Sequence, residues 1–143
     1  MASRCGSVDP GLLLYQLRQG LSVEELDLAL NGQSGLLALS ELSGSMQELR
    51  AAAAAGHEGA QLAIAVFRHR LLREIGAMAA SLGGVDVLAF TGGIGEHDDA
   101  LRQEVVSALS WLSAFEVMVI AADEEQVIAR ACRGSASSAA VSR

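Results

Sequence analysis

Apolar positions along most of the chain recur at steps of three and four, the spacing of one helix face, and change after Gly83-Gly84 to a nearly continuous run. Asp9-Pro10-Gly11 opens the first periodic segment. Asp9 is placed to accept from freed backbone amides, and Pro10 occupies the first helical position, where its missing donor costs nothing. Leu13, Leu14 and Leu17 then predict a short amphipathic helix that Gly20 ends. Ser22, followed three residues later by Glu25, predicts a capping box and a second helix through Leu26, Leu28 and Leu30, stopped at Asn31-Gly32.

The stretch from Gln33 to Ser45, rich in Ser, Gly and Leu, reads as an irregular connection with one turn of helix around Leu36 to Leu39. Its glycines suggest a loop near a site. Met46 to Ala55 reads as a helix that Gly56 interrupts, and Glu58 to Leu82 as the longest one, with Ile64, Phe67, Leu71, Ile75, Met78 and Leu82 on one face. After Gly83-Gly84 the nearly continuous apolar run of Val85, Val87, Leu88, Ala89 and Phe90 predicts a buried parallel strand. It runs into Thr91-Gly92-Gly93-Ile94-Gly95-Glu96. Asp98 and Asp99 open a helix through Leu101, Val105, Val106 and Leu109 towards Trp111. Val117 to Ile120 predicts a second strand, and Asp123-Glu124-Glu125 a last helix ending near Cys132. Strand, helix, strand, helix is an α/β order with parallel pairing.

Length leaves room for one domain that buries roughly 68% of its unfolded surface. Residues 1–132 form that domain, and 133–143, rich in Ser and Ala, read as a disordered tail. No apolar stretch is long enough to span a membrane and no cleavable leader opens the chain, so a cytoplasmic location is expected. The net charge of −7, with all ten bases arginine, disfavours nucleic acid and anionic membranes as partners. Cys5 and Cys132 lie far apart without a metal-binding or redox spacing and read as reduced thiols. The absence of lysine excludes the usual phosphate-loop motif. Asp98, where a dinucleotide fold needs its third glycine, excludes that fingerprint.

A glycine-rich turn between a strand and a helix lets backbone approach a ligand, although taken alone it reads equally well as a tight turn. The wider order of motifs is more specific. Ser3-Arg4-Cys5-Gly6-Ser7-Val8-Asp9-Pro10-Gly11 is followed by Ser34-Gly35-Leu36-Leu37, then Phe90-Thr91-Gly92-Gly93-Ile94-Gly95-Glu96, then Asp123-Glu124-Glu125-Gln126-Val127-Ile128-Ala129-Arg130. This series resembles the C-terminal portion of acetate and propionate kinases, over most of residues 3 to 132. The resemblance implies a partial C-terminal domain of the sugar kinase, Hsp70 and actin fold (RNase H-like), helix-rich with a short parallel sheet. It implies phosphoryl transfer between ATP and acetate or propionate, giving ADP and an acyl phosphate, with Mg²⁺.

By the same resemblance, Arg4 matches the arginine that steadies the phosphoryl group in flight. The bland alternative is a solvated N-terminal arginine. Gly93, Ile94, Gly95, Glu96 and His97 match the nucleotide loop, whose last residue is usually asparagine. Glu124 matches a carboxylate near Mg²⁺, a hard cation that prefers oxygen ligands. Asp123, Glu124 and Glu125 also suit the first turn of a helix electrostatically. The region of the long helix contributes to a homodimer in the family, and Arg68, His69, Arg70 and Arg73 read as a solvated or partner-facing strip.

Departures matter as well. Gly44-Ser45-Met46-Gln47-Glu48 stands where relatives carry an Asp and an Arg that contact the nucleoside, and Leu112 to Glu116 bridges a gap that relatives fill with a further strand and a loop. The carboxylate pocket and phosphate-binding loop precede the arginine in relatives. An acetate kinase-like chain of this extent is therefore expected to need a complementary N-terminal half for activity. The alternative is a catalytically inactive remnant that binds nucleotide weakly or only self-associates; an unrelated α/β binding module would make the ordered motifs a coincidence.

Overall fold

The structure, a computed structural model, describes residues 2–122. The chain divides after Gly84 into two compact units, each with its own small core.

The first unit is helical throughout. α1 (Pro10–Arg18) starts where Asp9 accepts from the Gly11 N–H at 2.6 Å, with Pro10 in its first turn. α2 (Val23–Gly32) carries the predicted capping box: Glu25 N–H donates to Ser22 Oγ at 3.2 Å and Ser22 N–H donates to Glu25 Oε2 at 2.8 Å. α3 (Gly35–Ser40) occupies the stretch expected to be mainly irregular, and the helical turn predicted there extends over six residues. α4 (Met46–Ala54) and α5 (Glu58–Leu82) keep their predicted places.

α3 and α4 both pack on α5, and the core of the unit is built from Leu36, Met46, Leu49, Ala60, Ala63, Ile64 and Ala79. Close approach depends on Gly59, where a Cβ would sit 2.7 Å from the Ser40 carbonyl oxygen. The predicted apolar face of α5 is covered unevenly: Ile64 is buried, whereas Met78 and Leu82 are exposed. Length explains this, because α5 extends about 38 Å while α3 and α4 span only about 9 and 14 Å.

The second unit runs β1 (Val87–Phe90), α6 (Gly92–His97), α7 (Asp99–Ala108) and β2 (Glu116–Val119). The strands pair in parallel, Val87 opposite Glu116 and Phe90 opposite Val119, as the strand-helix order requires. Leu101, Val105 and Leu109, spaced four apart on one side of α7 and its C-cap, form the core with Phe90. The expectation of a buried strand is corrected: of β1 only Phe90 is buried, and all four residues of β2 are exposed. A nearly continuous apolar run reports that both faces suit burial, and among the described residues the helices of this unit leave most of both strands exposed. Among the described residues no helix is long and apolar enough to cross a membrane.

Candidate functional site

Thr91 leaves β1 in extended conformation and Gly92 turns the chain at φ 72°, a region that glycine enters without steric cost. The next residues, read from sequence as a glycine-rich turn, close into α6, so Gly93, Ile94, Gly95, Glu96 and His97 share one short helix. A Cβ at Gly92 or Gly93 would meet no atom within 4 Å, so the backbone there faces open space. Gly95 faces the other way, its virtual Cβ 3.4 Å from the Phe90 carbonyl carbon. The segment is thus seated on the strand end through Gly95 and open at Gly93.

Two side chains hold it. Glu96 Oε1 accepts from the Ala122 N–H at 2.9 Å, tying α6 to the chain just past β2. Arg102 Nη1 donates to the Gly95 carbonyl at 2.7 Å, and Arg102 also pairs with Asp99. Asp98 lies between the helices in non-helical conformation; its N–H caps α6 on the Ile94 carbonyl at 3.0 Å and its carboxylate accepts from the Leu101 N–H at 2.9 Å. His97 is exposed at the end of α6.

Arg4 belongs to the first unit. Its neighbours are anchored by backbone: Cys5 N–H donates to the Leu30 carbonyl at 2.9 Å, Ser34 N–H to the Ser3 carbonyl at 2.8 Å, and Leu37 N–H to the Ala2 carbonyl at 3.0 Å. Ser3 Oγ adds a bond to the Asn31 carbonyl at 3.1 Å. The Arg4 side chain is exposed and makes no ion pair or hydrogen bond among the described residues, so its charge stands on a fixed backbone. A depression of about 280 Å³ beside this segment is lined in part by Cys5, Gly35, Leu39, Phe67 and Arg70. The basic strip of α5 is mixed: Arg68, His69 and Arg73 are exposed, Arg70 is half-buried, and Arg73 pairs with Glu74 at 2.7 Å.

Glu124, with Asp123, Glu125 and Cys132, lies outside the described residues, as do the predicted last helix and tail. Among the described residues no cluster of three or more His, Cys, Asp or Glu side chains is placed to hold a metal ion. Gly93 to His97, consecutive in sequence, share α6. Arg102, which sequence reasoning passed over, holds them; its signal is an arginine one turn beyond the Asp98 cap, legible only once the helix is known to break there.

The parallel strand pair with its glycine-rich helical turn at the strand's C-terminal end belongs to the RNase H-like fold that this chain shares with acetate kinases of solved structure. Residues 1–136 match the Acetokinase family, and the chain belongs to that family. It is 43% identical to an acetate kinase of Synechococcus sp. over 93% of its own length and 38% of that protein's. It is 50% identical to an acetate kinase of Deinococcus radiodurans over 78% of this chain and 28% of the other. Crystal structures of an acetate kinase from Porphyromonas gingivalis and a propionate kinase from Francisella tularensis superpose with TM-scores of 0.83 and 0.77 at 32% and 33% identity. They cover 91% and 87% of this chain, and 39% and 38% of theirs. The chain thus matches between 28% and 39% of the length of these relatives.

Proposed function

We propose that this chain carries the nucleotide-side part of a short-chain carboxylate kinase, whose reaction is phosphoryl transfer from ATP to acetate or propionate. Gly93 to His97 would receive the nucleotide, and Arg4 would meet the transferring phosphoryl group, where a guanidinium offsets charge spread over its oxygens. Mg²⁺ would be held by the nucleotide's phosphates and water, with Glu124 near it. The observation that carries this reading is the α6 segment, seated on the strand end yet open at Gly92 and Gly93, in a chain whose motifs keep the family order. The carboxylate pocket belongs to the remainder of the relatives' length, supplied on the same polypeptide or by a complementary one. Apolar Met78 and Leu82, four residues apart on one exposed side of α5, suit a homodimer through that helix.

Calorimetric titration with Mg-ADP tests the nucleotide site. Gly93→Asp adds a carboxylate in open space, so the fold is retained while the phosphates meet a like charge. At least a tenfold loss of affinity is expected, about 1.4 kcal/mol. No binding by the unaltered chain at millimolar nucleotide would sink the reading.

A second reading, a family fold without working nucleotide recognition, is favoured by the Ser45 to Glu48 segment. Ser45 is spent as the cap of α4, accepting from the Glu48 N–H at 3.5 Å, and Gln47 is exposed and uncharged. Binding of Mg-ADP by the unaltered chain decides against it.

A further inference from the structure

We propose that Arg102 is a positioning residue for the Gly93–His97 segment, an inference that rests on the nucleotide role proposed above. In a continuing helix the Gly95 carbonyl would take the N–H of residue 99. The chain instead breaks at Asp98, at φ −100° and ψ 81°, so that α7 can start in a new direction. Arg102, from the first turn of α7, reaches back seven residues and supplies the donor at Gly95. The same guanidinium pairs with Asp99.

The two contacts differ in weight. The Arg102 side chain is 17% exposed and that of Asp99 78% exposed, so water screens the carboxylate and the pair contributes little. The bond to Gly95 joins a charged donor to a half-buried carbonyl, and removing the donor leaves that carbonyl without its partner. Glu96 is fixed independently through Ala122, so loss of Arg102 frees the Gly95 end of the segment without releasing all of it. Arg102 thereby sets where Gly93 presents its backbone, while touching no ligand itself.

The test uses the full chain with Arg102→Gln, Arg102→Lys and Asp99→Asn. Hydrogen exchange of the amides of residues 93–97 is read without ligand, with the amides of Val105 and Leu109 as the internal reference, followed by Mg-ADP affinity. For Arg102→Gln, exchange of residues 93–97 should rise about tenfold with the reference unchanged, and affinity should fall by about the same factor. Arg102→Lys, which keeps one charged donor, should lie between, and Asp99→Asn should change both by less than about twofold. Unchanged exchange in Arg102→Gln overturns the proposal. So does an equal rise at Val105 and Leu109 in both Arg102 variants, which would make the residue a general support of the unit. If the unaltered chain binds no nucleotide, the nucleotide reading fails, while the exchange measurement still decides whether Arg102 positions the segment.

Discussion

Within the first unit, α1 and α2 stand on a different footing from α3, α4 and α5. The latter three share a core in which Leu49 and Ala63 have no exposed surface, whereas neither α1 nor α2 contains a buried residue. Leu12, Leu14, Tyr15, Val23 and Leu28 are all half or more exposed. α1 and α2 are capped by Asp9 and by the reciprocal Ser22–Glu25 pair, as α4 and α5 are by Ser45 and His57, but they have no burial to add to their caps. One set is held by burial and the other by its ends. The distinction reaches the site, because the segment bearing Arg4 hangs from the Leu30 and Asn31 carbonyls at the end of α2.

The sharpest way to break this comparison is to empty the core. Leu49→Ala should cost about 2–5 kcal/mol, the range for a leucine truncated in a closed core. Chemical denaturation followed by circular dichroism reads the loss; a cost under about 1 kcal/mol would mean that α4 and α5 are not held by burial. Ser40→Ala comes next. Ser40 is 1% exposed, and its hydroxyl accepts from the Leu42 and Ser43 N–H groups at 3.2 and 3.1 Å. Leaving these donors unmatched should cost about 1–3 kcal/mol. The same melts would show it, and a neutral result would mean that water replaces the hydroxyl.

Caps of this kind were legible because their cause is local: Ser22 and Glu25 lie three residues apart, and no distant part of the chain is needed to bring them together. The ends of α5 and the glycine-rich segment after β1 were legible for the same reason. Burial was not. The apolar stripe of α5 says which side seeks cover but not that α3 and α4 are too short to cover Met78 and Leu82, and the run Val87 to Phe90 does not reveal that only Phe90 of it is buried. At the site, Gly93 to His97 was readable as a motif, whereas Arg102 depends on a helix break that only the folded chain displays.

On the cap-held side, Ser22→Ala should cost about 1 kcal/mol and fray the first turn of α2 without touching α4 or α5. Amide exchange at residues 23–26 reads this, and equal loosening of Leu49 would erase the distinction between the two sets.

The smallest effect is the most selective. Bonds from the Ser22 backbone and hydroxyl hold the Glu25 carboxyl below its ordinary value of about 4.5. A group whose folded value is depressed contributes stability above its unfolded value and loses it as pH falls through the folded one. Stability of the α2 start should therefore be constant from neutral pH down to about 4.5 and decline below it. Protonation removes the charged acceptor from the Ser22 N–H while leaving the Ser22 hydroxyl to serve the Glu25 N–H, so the turn should loosen but not unfold. Carboxyl resonances followed by NMR titration would place the midpoint, and Glu25→Gln should remove the pH dependence at residues 22–25 while leaving α5 unaffected. A Glu25 midpoint at or above its ordinary value would show that the reciprocal bond does not persist in solution, and α2 would then need another source of order to carry the backbone of Arg4.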